Sequence, residues 1–184
     1  MPSVLPKGMA KKIPAGADII IEMHYTPNGQ AMKDRSRVGL IFAKEEPKYI
    51  VRTHGVANDE FKIPPGASNY EVEQFYRFPD DAYLLSFMPH MHLRGKDFKY
   101  TFTYPDGRSE VLLWVPRYDF NWQSYYRLKP KFMPKGTKVH CVAHFDNSAN
   151  NFNNPDPSKP VYWGDQTWEE MMIGWMDFAF ERKQ

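Results

Sequence analysis

The sequence predicts an all-β protein, a jelly-roll-like antiparallel β-sandwich, and three observations carry that expectation. Aromatic residues make up 16% of the chain, a share that favours sheets. Turn signals punctuate it at Pro27–Gly29, Pro64–Gly66, Pro105–Gly107 and Pro134–Gly136, where proline followed by Gly, Asn or Asp presets turn dihedrals. Between the turns lie short runs rich in Val, Ile, Tyr, Phe and Trp. Alternation is clearest in "FKYTFTY", which places Phe98, Tyr100, Phe102 and Tyr104 on one face before the hairpin signal "YPDGR". Many short strands spaced by turns of this kind describe a sandwich or jelly roll.

In chain order the pattern predicts strands near Asp18–Tyr25, Arg37–Ala43, Tyr49–His54, Tyr70–Phe78, Tyr83–Met91, Phe98–Tyr104, Glu110–Val115, Gln123–Leu128, Lys138–Phe145 and Met172–Arg182. Only "TWEEMMIGW" competes as a helix, and it is short. The Asn-rich stretch Asn147–Pro160 is turn-rich and predicts a loop. No internal repeat is present.

The chain has 184 residues, a size suited to one domain, and 42% hydrophobic residues, enough for a sizeable core. A net charge of +2 argues against a strongly basic nucleic-acid binder. Cys141 is the lone cysteine, so no intrachain disulfide can form. The N-terminal stretch lacks the apolar run of a signal peptide, and no stretch approaches the roughly 18 apolar residues of a membrane span.

The stretch "MPHMHLRGKD" holds His90 and His92. Residues i and i+2 of a strand share a face about 6.5–7 Å apart, so the two imidazoles can share one metal ion. The alternative is a pair of polar residues on a solvent face. The position at the end of an apolar strand, before a glycine turn, suits a site that is both rigid and open. His140 and His144 also share a strand face but stand too far apart to chelate one ion easily, and they can equally be structural. His24 ends an apolar strand before a turn. His54 reads as a surface residue. Among the methionines, Met171 and Met172 follow Glu169 and Glu170. A thioether is a soft ligand that selects copper. A cupin-like iron or manganese site would need a glutamate shortly after the pair, where only Asp97 is offered.

Together these fragments resemble the copper type II, ascorbate-dependent monooxygenases, the family of peptidylglycine α-hydroxylating monooxygenase and dopamine β-hydroxylase. The resemblance runs from about Gly16 to Phe180. "IIIEMHYTP" looks like the strand with the third histidine of the electron-transfer copper site, here His24. "FKIPPG" looks like the start of the second domain. "HMH" looks like the two histidines of the oxygen-activating copper, here His90 and His92, and "EEM" like its methionine, here Met171. "DFNWQSYYRL" and the stretch from Phe145 to Trp175 look like a bacterial branch of exported proteins.

By that resemblance, residues 1–45 correspond to the last strands of a first sandwich and residues 46–184 to a copper-binding second one. It implies copper as cofactor, dioxygen and an external reductant such as ascorbate as partners, and a periplasmic or secreted location. It implies His24 and His144 as second-site or supporting residues. The sequence also departs from the family. It has no adjacent His-His pair. Met172 stands where the partner of Cys141 is usual. Met88 replaces the arginine two residues before the first ligand, and Ile173 and Trp175 replace the substrate-binding asparagine and tyrosine. The peptide carboxylate anchor is thus missing. Met88 and Trp175 suit a small or apolar substrate instead. The rival expectation is a non-catalytic copper-binding or structural module of a larger exported protein.

Overall fold

Eleven strands and no helix form among the described residues. The computed structural model describes residues 4–25 and 28–183. In chain order the strands are β1 (Met9–Lys11), β2 (Tyr49–Asn58), β3 (Lys62–Ile63), β4 (Tyr70–Arg77), β5 (Ala82–His90), β6 (Gly95–Thr103), β7 (Ser109–Val115), β8 (Tyr126–Met133), β9 (Lys138–Phe145), β10 (Val161–Tyr162) and β11 (Met172–Glu181).

They make a five-stranded sheet, β1-β2-β11-β5-β8, and a four-stranded sheet, β4-β9-β6-β7, with β3 and β10 as a small separate ribbon. The β1–β2 pair is parallel and the other ladders are antiparallel. The expected all-β sandwich is therefore the observed architecture. The proline-glycine signals mark real turns: Gly66, Gly107 and Gly136 have φ of 71°, 86° and 86°, a region that favours glycine. Gly29 is similar at 79°, while Pro27 lies outside the described residues.

The two sheets bury their inner faces against each other. Phe87 and Met176 come from one sheet, and Phe98, Tyr100, Phe102 and Cys141 from the other, all essentially inaccessible. Phe87 meets Tyr100 at 4.7 Å between ring centroids, and Phe78 meets Phe178 edge-on at 5.2 Å. Each such side chain contributes about 1.5–3 kcal/mol through burial. His54 belongs to this interior rim. It is half-buried, its ring 4.4 Å from Tyr76, and burial lowers its pKa. The expected surface position is corrected, because His54 lies opposite Met176 on the inward side of β2.

Two expected strands do not form. Residues 18–25 and 37–43 carry strand-like sequence, yet no strand is present there. Ile20, Ile41 and Phe42 are 92%, 83% and 75% exposed. A strand is defined by its hydrogen-bonded neighbour, and none of the eleven strands pairs with these stretches. Elsewhere the boundaries agree to within a few residues. The stretch "TWEEMMIGW" runs into β11 rather than a helix, and Asn147–Pro160 is a loop as expected. Gln123, expected on a strand, precedes β8 in a loop.

Gly174 on β11 faces the other sheet at close range. A Cβ there would lie 2.8 Å from Cys141 Sγ and 2.9 Å from Tyr100 Cε1. Gly174→Ala is expected to destabilise the fold by about 1–3 kcal/mol through overpacking, read as a lower urea midpoint at unchanged slope.

Candidate metal centre

His90 ends β5 and lies opposite Ile173 of β11. The β5–β11 ladder ends at this pair, and His92 and Met171 follow and precede it just outside the two strands. Met172, beside Met171, is fully buried in the core, whereas Met171 is half-buried. The imidazoles of His90 and His92 stand 5.2 Å apart between centroids, nearly perpendicular.

Each ring is oriented by a hydrogen bond at Nδ1. His90 Nδ1 donates to Gln123 Oε1 at 2.6 Å, and Gln123 is itself held through its donation to the Phe120 carbonyl at 3.0 Å. His92 Nδ1 donates to the Glu169 carbonyl at 3.2 Å. With Nδ1 protonated, His90 Nε2 keeps a lone pair, the form that binds metals, while the His92 ring also meets the Gln166 backbone. Burial lowers the pKa of both rings, although the hydrogen bonds to Gln123 and Glu169 oppose it. Both are therefore neutral near pH 7.

No group of three or more His, Cys, Asp or Glu side chains placed to hold a metal occurs among the described residues. A third protein ligand beside the pair would be of another type.

The turn after His92 is built around Glu170. Its carboxylate accepts from the backbone N–H of His92 at 2.8 Å and of Arg94 at 2.6 Å. Arg94 is buried and donates to Asn147 Oδ1 at 3.0 Å and to the Trp168 carbonyl at 2.9 Å. Asn147 in turn donates to the carbonyls of Pro64 and Lys159, both at 2.9 Å. On the other side, the Tyr118 hydroxyl accepts from Met91 N–H at 3.0 Å and donates to the Met91 carbonyl at 2.7 Å. Glu170, Gln123 and Tyr118 were not singled out from the sequence. The only signal was an acidic pair directly ahead of a buried strand.

The remaining expected site residues divide. His24 is exposed, and its Nε2 meets Glu22 Oε1 at 2.8 Å. His144 does not join the site. It stands on β9 of the other sheet, where Nδ1 meets Asp97 at 2.9 Å and Nε2 meets Glu71 at 3.2 Å. Cross-strand carboxylates on β4 and β6 occupy both nitrogens, which corrects its assignment as a supporting residue. His140 is similarly taken by Glu73 at 2.6 Å and stacked on Phe75. Met88 and Trp175 are directly paired on the outward face next to His90 and line a cavity of about 280 Å³.

No family model and no curated protein matches the chain. Two solved structures align with part of the chain. The VP2 subviral particle of infectious bursal disease virus aligns over 73% of this chain and 33% of its own, with 8% identity and a TM-score of 0.37. The infectious bursal disease virus Gx strain structure aligns over 72% and 40%, with 10% identity and a TM-score of 0.32. The chain thus spans well under half the length of either. Similarity of this size says nothing about the histidine site.

Burial raises the Glu170 pKa to about 7, outweighing the two backbone N–H donors and the Arg94 charge. Because the folded pKa is raised above the ordinary 4.5, stability from this group is fully present below about 4.5 and is lost as pH rises through 7. A shift of that size corresponds to on the order of 3 kcal/mol. Chemical denaturation at pH 4.5 and pH 8 should show that decline in the wild type relative to Glu170→Gln. Parallel pH profiles for the two proteins would refute it.

Proposed function

We propose that the chain binds one copper ion through His90, His92 and Met171 and serves as a copper-dependent monooxygenase domain, hydroxylating a C–H bond with dioxygen and an external reductant such as ascorbate. The observation that carries the reading is the pair of neutral imidazoles, each held at Nδ1, at the end of β5 where it leaves β11, the strand that Met171 immediately precedes. Two imidazoles and a thioether suit copper in both oxidation states, and fewer carboxylate ligands make iron or manganese a poorer match. Copper held there supplies the one-electron chemistry that activates dioxygen toward a substrate.

The chain's own residues supply geometry. Gln123 and the Glu169 carbonyl fix the ring planes. Glu170 and Tyr118 fix the backbone on both sides of His92. Met88 and Trp175 form an apolar wall next to His90 against which a substrate can pack. The family resemblance also suggests a periplasmic or secreted protein.

A second reading, a copper-binding module without turnover, draws support from His24. That residue is exposed and bonded to Glu22, and His140 and His144 are engaged on the other sheet. A single copper delivers electrons one at a time, whereas hydroxylation consumes two.

Elemental analysis should find one copper per chain in the wild type and less than a tenth of that in His90→Ala or His92→Ala. X-ray absorption of the reduced form should show a sulfur neighbour that is lost in Met171→Leu and retained in Met172→Leu; the reverse would shift the register by one residue. Full copper retention in the double histidine variant would remove the assignment altogether.

Given ascorbate, the isolated copper-loaded chain is expected to consume oxygen mainly to hydrogen peroxide, with His24→Ala changing neither copper content nor rate. Oxygen electrode traces with and without catalase report this directly. Two tightly held coppers, one of them lost in His24→Ala, would instead reveal a second site.

A further inference from the structure

We propose that Tyr125 is a positioning residue for His90: its hydroxyl, seated between Asp177 and Ser86, fixes the loop before β8 so that the Gln123 amide keeps the His90 proton on Nδ1. The claim about the proton stands on hydrogen bonds alone; only its consequence for copper rests on the reading above.

The tautomer of His90 is decided outside the ring. The Phe120 carbonyl can only accept, so the Gln123 amide turns its Nε2 toward it, at 3.0 Å. That leaves Oε1, also an acceptor only, facing His90 Nδ1 at 2.6 Å, and Nδ1 must then carry the proton. The proton position thus depends on where the loop backbone puts one carbonyl and one amide. Once that backbone shifts, the amide is free to turn over. Its NH₂ group then faces Nδ1, the proton moves to Nε2, and Nε2 loses the lone pair a metal needs.

Residues 116–125 join β7 to β8 and belong to no strand. The first half of this loop is held in several ways. Tyr118 N–H donates to the Lys96 carbonyl at 2.9 Å, its hydroxyl bridges the Met91 backbone, and Trp122 N–H donates to the Asp119 carbonyl at 2.9 Å. Among the described residues, Gln123 to Tyr125 have no such backbone bond before the ladder begins at Tyr126, opposite Phe87. What holds this half is the Tyr125 phenol. Its hydroxyl donates to Asp177 Oδ2 at 2.6 Å and accepts from Ser86 at 2.7 Å. Asp177 and Ser86 are 5% and 1% exposed and face each other across β11 and β5, while Thr53 of β2 donates to Asp177 at 2.5 Å. Burial works against ionisation of Asp177, yet the bonds from Thr53, Tyr125 and Lys11 hold its carboxyl below the usual carboxylate range, so it remains an acceptor. The loop is thereby tied to three strands of the sheet that carries His90.

Long-range proton–nitrogen NMR of the metal-free chain at about pH 8, above the ordinary histidine range, reads the tautomer of each ring. The wild type is expected to show His90 as a single Nδ1–H tautomer. Tyr125→Phe keeps the ring and removes only the hydroxyl. It should give a mixture with the Nε2–H form, while the signals of His144, on the other sheet, stay as they are. Asp177→Asn should act in the same direction; should it fail to fold, Tyr125→Phe alone decides. Copper(I) affinity, read by competition with a chromophoric chelator, should fall about tenfold in Tyr125→Phe, a usual cost of losing an outer-shell partner. An Nε2–H tautomer in the wild type, or an unchanged tautomer in Tyr125→Phe, would overturn the proposal. A shifted tautomer in Tyr125→Phe, with copper bound by neither protein, would support the positioning role and remove the metal reading.

Discussion

The buried carboxylate of Glu170 is the constraint on which the rest of the site depends. A charge taken out of water is tolerated only when its lone pairs are satisfied and an opposite charge is near. Here the backbone N–H groups of His92 and Arg94 meet the two oxygens, and the Arg94 guanidinium supplies the charge. Arg94 must then be satisfied in its turn, which recruits Asn147 and the Trp168 carbonyl. The hydrogen-bonded chain leads from one acidic residue to the path of the loop that covers the end of the sandwich. His92 is therefore held by its backbone before its ring meets any ligand.

Along the outward face of the five-stranded sheet, side chains fall into layers set by the antiparallel register. Val51, Leu85 and Ala179 form a small apolar cluster beneath Leu5 and Met9. Next come Thr53, Ser86 and Asp177, then Gly55, Met88 and Trp175, then His90 with Ile173. Inert, polar, apolar and ligand-bearing layers thus follow one another about 6.7 Å apart, the two-residue repeat of a strand. The second sheet contributes to this face only by supporting it from behind.

Period-two patterning was legible wherever a strand has one buried face, as in Phe98–Tyr104, and β9 was read to the residue. The pair His90 and His92 was legible because its spacing alone puts both rings on one side. What escaped were contacts that depend on long-range closure. Gln123 reaches His90 from a loop thirty-three residues away, and Glu170 reaches His92 across seventy-eight. Neither distance leaves a local trace. The runs at 18–25 and 37–43 erred in the opposite sense: their composition is strand-like, but composition cannot supply a neighbour. His144 misled because a strand-face histidine looks the same in sequence whether it meets a metal or two carboxylates.

The irregularity in β5 between Leu84 and Ser86 has a reach beyond its own position. Leu84 and Phe87, three residues apart, both point into the core, so the strand changes phase between them while β11 keeps its own. Everything beyond that point, Met88, His90 and the start of the turn, owes its outward aim to one additional residue. A bulge of this kind works as a parity bit. Removing it would leave the composition, the hydrophobicity and almost every pairing possibility intact, yet would exchange the two sides of the strand and send both the cavity wall and the first imidazole into the core. In lineages that lengthen or shorten this strand, insertions and deletions by two residues on the site side of the bulge are compatible with the site, and single ones are not.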